Sequence, residues 1–117
     1  MKLTQNQKDY ERLLRMIAAC EETLEFVEDI QQEQFLKDRL LQLAVQKSLE
    51  NIAEGARTMT ADFRQRYHDY VWNEMIGMRV HSAHMYWKID YKVIYKIAQD
   101  DVPELLAYLH EIKANME

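Results

Sequence analysis

Residues 78–87 read MRVHSAHMYW and bring together an arginine, a tyrosine and two of the chain's four histidines. A solvated helix face would more often be built from Lys and Glu, so this choice of residues needs a chemical or a packing explanation. On a helix turning about 100° per residue, Arg79, Ser82, Ala83 and Tyr86 follow i, i+3, i+4, i+7 spacing and share one face. The two small residues leave a shallow floor between a guanidinium and a phenol, open to a phosphate-sized group. Trp72, Ile76, Val80, His84 and Trp87 form the neighbouring apolar stripe, with His84 at its edge.

Taken singly, each side chain has a plain structural use. His84 suits a hydrogen-bonded core position, Arg79 a surface charge, Tyr86 amphipathic packing and His81 a solvated site. Together they offer what metal-free RNA cleavage requires. A histidine can take the proton of a ribose 2′-OH or return one to the leaving 5′-oxygen. An arginine presents forked donors to the phosphate oxygens as charge builds on them. No acidic cluster suits a pair of magnesium ions and no Cys/His spacing suits zinc, so neither metal nor cofactor is expected.

The elements that must position these residues read as helices. Two Gly and one Pro among 117 residues, with 48% apolar and 30% charged side chains, favour long helices and short turns. Thr4 with Gln7 announces a first helix, along which Tyr10, Leu13, Ile17, Cys20, Leu24 and Val27 form a narrow apolar seam. Polar residues around 32–34 interrupt the pattern. Phe35, Leu36, Leu40 and Leu43 then open a second helix, which continues through Val45, Leu49, Ile52, Ala53 and Ala56, with Gly55 near its end as a terminator that a helix can pass by a residue or two. Within the irregular run RTMTADFRQRYHDY, Thr60 can cap a short helical turn. A third helix is predicted over about 70–87. Asp90 caps a short fourth, and Asp101 with Glu104 caps a fifth that carries Pro103 in its first turn. No alternation of period two argues for a sheet, so the expectation is one all-α domain over residues 1–117, a bundle of about five helices.

At this point the sequence resembles the HepT toxins, helical members of the HEPN ribonuclease superfamily. Their signature of Arg, four residues, His, one residue, Tyr is matched by Arg79, His84 and Tyr86. The setting also matches, in WNEMIGMRVHSAHMYWKID, in VIYKIAQDDVPELLAYLHEI and, upstream, in AVQKSLENIAEGA. The resemblance implies a homodimeric endoribonuclease in which Arg79 and His84 cut RNA. It also implies an antitoxin partner, an MntA-type minimal nucleotidyltransferase that transfers AMP onto the motif tyrosine, here Tyr86. An adenylate on the face of Arg79 would fill the site and repel RNA phosphates.

One position departs from the family. The residue after the arginine is usually polar, and here it is Val80, which cannot orient the imidazole of His84 one turn on; His81 is a candidate auxiliary. Val80 therefore keeps a second reading open, a non-catalytic helical module that binds a nucleotidyltransferase and its nucleotide or substrate.

Charge and composition set the outer limits. The net charge of −5 argues against coating nucleic acid by bulk attraction, but residues 57–98 carry 7 basic and 4 acidic side chains while both flanks are acidic. A polyanion is received most readily in that middle stretch. The lone cysteine, Cys20, excludes a disulfide framework and fits a cytoplasmic location. No apolar run approaches the roughly 18 residues of a membrane helix, and the start MKLTQNQKDYERLL is too polar for a secretion signal. Apolar surface beyond what one small bundle hides predicts association with a second copy.

Overall fold

The structure, a computed structural model, describes residues 4–68 and 89–117. The predicted helix over 70–87 lies outside the described residues.

Helix α1 spans Gln5–Val27 and begins as its pattern predicts. The Thr4 hydroxyl accepts from the Gln7 amide at 3.1 Å and the Gln7 side chain accepts from the Thr4 amide at 2.8 Å, a reciprocal capping box. Leu13, Ile17, Cys20 and Val27 of the seam are buried, while Tyr10 and Leu24 are half-buried. Met16, Ala19 and Thr23 are buried as well, so the seam is a broad face. Its width follows from position, because α1 is packed on two sides.

The second segment departs from the single helix expected. Phe35 belongs to a four-residue helix α2, Gln32–Phe35, and a break precedes α3, Arg39–Thr58. Asp38 makes the break. Its backbone is extended and its carboxylate accepts from the Leu41 amide at 3.0 Å, which starts α3 afresh. Phe35 is buried against Tyr91 and Tyr95, whereas Leu40 and Leu43 remain 79% and 45% exposed. Gly55 does not end α3. The helix runs on to Thr58 without a left-handed cap, and a Cβ at position 55 would overlap Met16 Cγ. The glycine is there because α1 and α3 approach closely at that point.

Helix α4, Ala61–Arg66, is capped by Thr60 and buries Phe63. Helix α5, Tyr91–Lys96, is capped by Asp90, whose side chain accepts from the Lys92 amide at 3.0 Å. A π-helical turn, Ile97–Asp101, then leads directly into α6, Val102–Met116. Asp101 was expected to cap this last helix and does not. The chain arrives already helical, so the Val102 amide donates to the Ile97 carbonyl and no side chain is needed. Pro103 sits in the first turn, as its missing N–H allows.

Three pairings fix the arrangement. Thr23 meets Ser48, Met16 lies over Gly55 and Asp9 meets Thr60, so α3 runs antiparallel to α1. On the other side Tyr10 bonds Glu117 and Gln99 bonds the Val27 carbonyl, so α6 is antiparallel to α1 too. Helix α6 buries Val102, Leu105, Leu109 and Ile112 in the shared core. The Tyr10–Glu117 hydrogen bond, 2.6 Å long, holds the phenol above and the carboxyl below their usual pKa values. The fold is all-α, with no strand among the described residues, and no described helix is long and apolar enough to cross a membrane.

Cys20 is fully buried in this core. Burial, with Glu21 adding repulsion, pushes its thiol up to about 12, so it is held as the unreactive thiol.

Substituting Gly55 by Ala tests the close approach. Helix propensity alone would favour alanine by about 1 kcal/mol. Overpacking against the fully buried Met16 costs about 1–3 kcal/mol, and the overlap decides the sign. Urea denaturation of Gly55→Ala should show a net loss, and in a Met16→Ala background the same change should become neutral or stabilising.

Candidate functional site

The residues to which the sequence assigns chemistry, Arg79, His81, His84 and Tyr86, lie outside the described residues, as does Val80. The structure describes the frame on either side of segment 69–88.

On the upstream side the chain is held by α4. Its anchor is Asp9, a carboxylate on α1 that is only 4% exposed. Asp9 Oδ1 accepts from the Thr60 amide at 3.0 Å and Oδ2 accepts from the Thr60 hydroxyl, while Arg12 reaches Oδ1 at 3.4 Å. The Thr60 hydroxyl in turn accepts from the Phe63 amide at 3.2 Å. One buried carboxylate thus fixes the first turn of α4 through the threonine that caps it. At the far end of α4, Tyr67 packs its ring on Phe63 at 4.9 Å. Tyr108 of α6 donates to the Tyr67 carbonyl at 3.2 Å and Asn115 donates to its hydroxyl at 3.1 Å. His68 Nδ1 lies 3.0 Å from the Gln65 carbonyl.

On the downstream side Ile89 packs against the core and Asp90 starts α5. The Tyr91 hydroxyl donates to Gln46 Oε1 at 2.8 Å and accepts from Arg39 at 2.9 Å, with the guanidinium 5.6 Å from the ring centroid. Tyr95 donates to the Ile30 carbonyl and accepts from Gln99. Since α3 is antiparallel to α1, these contacts lie at the end of α1 opposite to the Asp9–Thr60 anchor. The chain is pinned before residue 69 and after residue 88 at the two ends of one helix.

The sequence holds seven tyrosines. In the five that are described, Tyr10, Tyr67, Tyr91, Tyr95 and Tyr108, each hydroxyl is hydrogen-bonded to another group of the protein. A transferase seeking a phenol nucleophile would have to break one of these bonds first. Among the described residues no group of three His, Cys, Asp or Glu side chains could hold a metal ion. Sequence reasoning found Thr60 and Asp90 as caps. It missed Asp9, which no local pattern sets apart from the exposed acids of α1, and it missed the Tyr67–Tyr108 link, whose members are 41 residues apart.

Comparison with known proteins assigns the class. The family model "Ribonuclease HepT-like" matches residues 16–112, and the chain belongs to the HepT-like ribonuclease family, a helical HEPN-type group. Among relatives, "Putative RNase MJ1380" of Methanocaldococcus jannaschii is 33% identical over 93 residues, covering 80% of this chain and 85% of its own. The "Probable ribonuclease HepT" of Thermococcus cleftensis is 32% identical over 111 residues, covering 95% of this chain and 99% of its own. No solved structure matches the chain.

The upstream anchor makes a direct prediction. Hydrogen bonds to a charged group contribute about 1.5–3 kcal/mol, so Asp9→Ala should destabilise the fold by about 2 kcal/mol. Amide exchange should quicken most at Phe63 and Arg64 in α4. An equal loss of protection across α6 would show instead that Asp9 supports the whole bundle and not α4 in particular.

Proposed function

We propose that the chain is an endoribonuclease toxin that cleaves RNA without a metal ion, works as a homodimer and is silenced by a nucleotidyltransferase antitoxin. The observation that carries this reading is the spacing of Arg79, His84 and Tyr86 inside a chain that matches the HepT-like family over residues 16–112. His84 takes the proton of the ribose 2′-OH. The freed oxygen attacks the adjacent phosphorus, the bond to the 5′-oxygen breaks as that oxygen takes up a proton from solvent, and the products are a 2′,3′-cyclic phosphate and a 5′-hydroxyl. Arg79 holds the phosphoryl oxygens while their charge is greatest, and His81 is an auxiliary group on the same flank. The exposed Leu40 and Leu43 offer apolar surface for association with a second copy.

In the silencing step the Tyr86 phenolic oxygen attacks the α-phosphorus of ATP and pyrophosphate leaves. The tyrosine geometry supports this choice, since the five described phenols are already engaged. The alternative of a non-catalytic module that binds a nucleotidyltransferase is favoured by Val80 alone.

Cleavage should persist in EDTA and leave cyclic or 3′-phosphate ends. Arg79→Ala and His84→Ala should each abolish it with the helical circular dichroism unchanged. Strict dependence on magnesium, or full activity of His84→Ala, would rule the mechanism out.

Co-expression with a cognate nucleotidyltransferase should add the mass of AMP to a peptide containing Tyr86, and Tyr86→Phe should escape silencing. Complete neutralisation of Tyr86→Phe would mean that docking alone inhibits. Adenylate on Tyr91 or Tyr95 would move the acceptor and require their hydrogen bonds to Gln46 and Ile30 to open.

A further inference from the structure

A trough of about 570 Å³ runs along the outside of the α1–α3 contact. Its floor is made of Ala18, Ala19 and Gly55, so the backbones of both helices lie close to its surface. Arg12 and Arg15 line its α1 side, and Asn51 and Thr58 its α3 side. Two acids share the trough. Glu54 is held by Arg57 in a two-bonded ion pair, at 3.1 Å through Nε, and Glu22 lies seven residues, about 10 Å, beyond Arg15 along α1. The trough is therefore polarised, with its cationic end toward α4.

The arginines of the chain are gathered at this end of the bundle. Of seven, Arg12, Arg15, Arg57, Arg64 and Arg66 lie on the first half of α1, the end of α3 or α4. Of the eight lysines one, Lys8, lies on these elements. This difference matters because a planar guanidinium binds phosphate oxygens with two parallel hydrogen bonds, while an ammonium acts as a point charge. Arg15 is exposed and has no ion pair among the described residues. Arg12 also touches Asp9, so the cationic end of the trough adjoins the anchor of α4.

We propose that this trough holds the sugar–phosphate backbone of single-stranded RNA. The choice of RNA rests on the ribonuclease reading above, whereas the place rests on the trough itself. Arg15 and Arg12 take phosphate oxygens, and Asn51 offers a neutral amide donor to the sugar oxygens, while the Thr58 hydroxyl gives its proton to the Gly55 carbonyl and can only accept. The small floor admits a narrow strand between the two helices. Among the described residues no aromatic side chain lines the trough, so none of them stacks on the bases there and the strand is held by its backbone. The site adds length-dependent affinity for the substrate and leaves bond cleavage to the motif.

The test uses the full chain and an uncleavable 2′-O-methyl oligoribonucleotide, so binding is read without activity. Arg15 is the residue to change, because Arg12 also holds Asp9. Arg15→Glu should weaken binding about tenfold or more, and Arg15→Ala should lower the slope of log affinity against log salt by about 0.7, the contribution of one phosphate contact. Arg15→Lys should retain that slope yet bind less tightly than wild type. Lys92→Glu, on α5 near the start of α3, should change little. With cleavable RNA, Arg15→Glu should raise KM for long substrates, leave kcat in place and spare a dinucleotide. If Arg15→Glu binds RNA as tightly as wild type with an unchanged salt slope, the trough is not an RNA site even if the protein cleaves RNA. Should it instead lose a protein partner while RNA binding is intact, the trough is a protein-docking surface and the proposal fails. RNA binding that depends on Arg15 in a chain without nuclease activity would uphold the trough and overturn the ribonuclease reading.

Discussion

The buried hydrogen bond between Thr23 and Ser48 sets the register of the two longest described helices. Both side chains are essentially inaccessible to solvent, and each hydroxyl has one proton to give. Ser48 gives its proton to the Val45 carbonyl at 2.8 Å, and Thr23 gives its own to Ser48 at 2.7 Å, although the Ala19 carbonyl on its own helix lies 2.8 Å away. An apolar seam alone tolerates sliding by a turn. Each hydroxyl keeps a carbonyl of its own helix in any alignment, so this alignment adds the bond between them, about 0.5–1.5 kcal/mol, to the fit of Met16 against Gly55. In that alignment Met16 lies over Gly55 and Asp9 arrives at Thr60. The position of α4, and so of the chain before residue 69, is set by a contact far back in the sequence.

This gives α1 an unusual share of the structure. It carries the core face shared by α3 and α6, the carboxylate that holds α4 and one wall of the arginine-lined trough. The same helix meets the charge problem of an acidic protein that handles a polyanion. Its bases all lie toward one end, where Arg12 and Arg15 stand with Asp9 and Glu11, while the other end, from Glu21 through Glu22 and Glu25 to Glu28 just beyond it, carries acids alone. Net charge is a poor guide here because phosphates respond to the local field within about 10 Å.

Local signals in the sequence were legible wherever the cause was local. The capping side chains of Thr4, Thr60 and Asp90 act on amides two or three residues away, so their patterns can be read without the fold. Asp38 is of the same kind, but the apolar run from Phe35 to Leu43 masks it. That run mixes a buried Phe35 with exposed leucines, and periodicity cannot tell them apart. Asp101 shows the reverse error. A good capping residue is not used when the preceding turn already supplies the carbonyl. The motif of Arg79, His84 and Tyr86 came from spacing and family resemblance, whereas its supports came only from the structure. Asp9, Tyr67 and Tyr108 act across 41–51 residues of sequence, and nothing in their own neighbourhoods marks them.

The inert, fully buried thiol of Cys20 has a practical consequence. A reagent that seeks thiolates at neutral pH finds no competing target in the folded chain, so a cysteine introduced at an exposed position is labelled alone. Gln65 and Lys92, both exposed, stand on the two sides of segment 69–88 at opposite ends of the bundle. Spin labels or a fluorophore pair at those two positions would report how far apart the frame holds its two ends with RNA, with a second copy or with an antitoxin present, and the native cysteine need not be removed first.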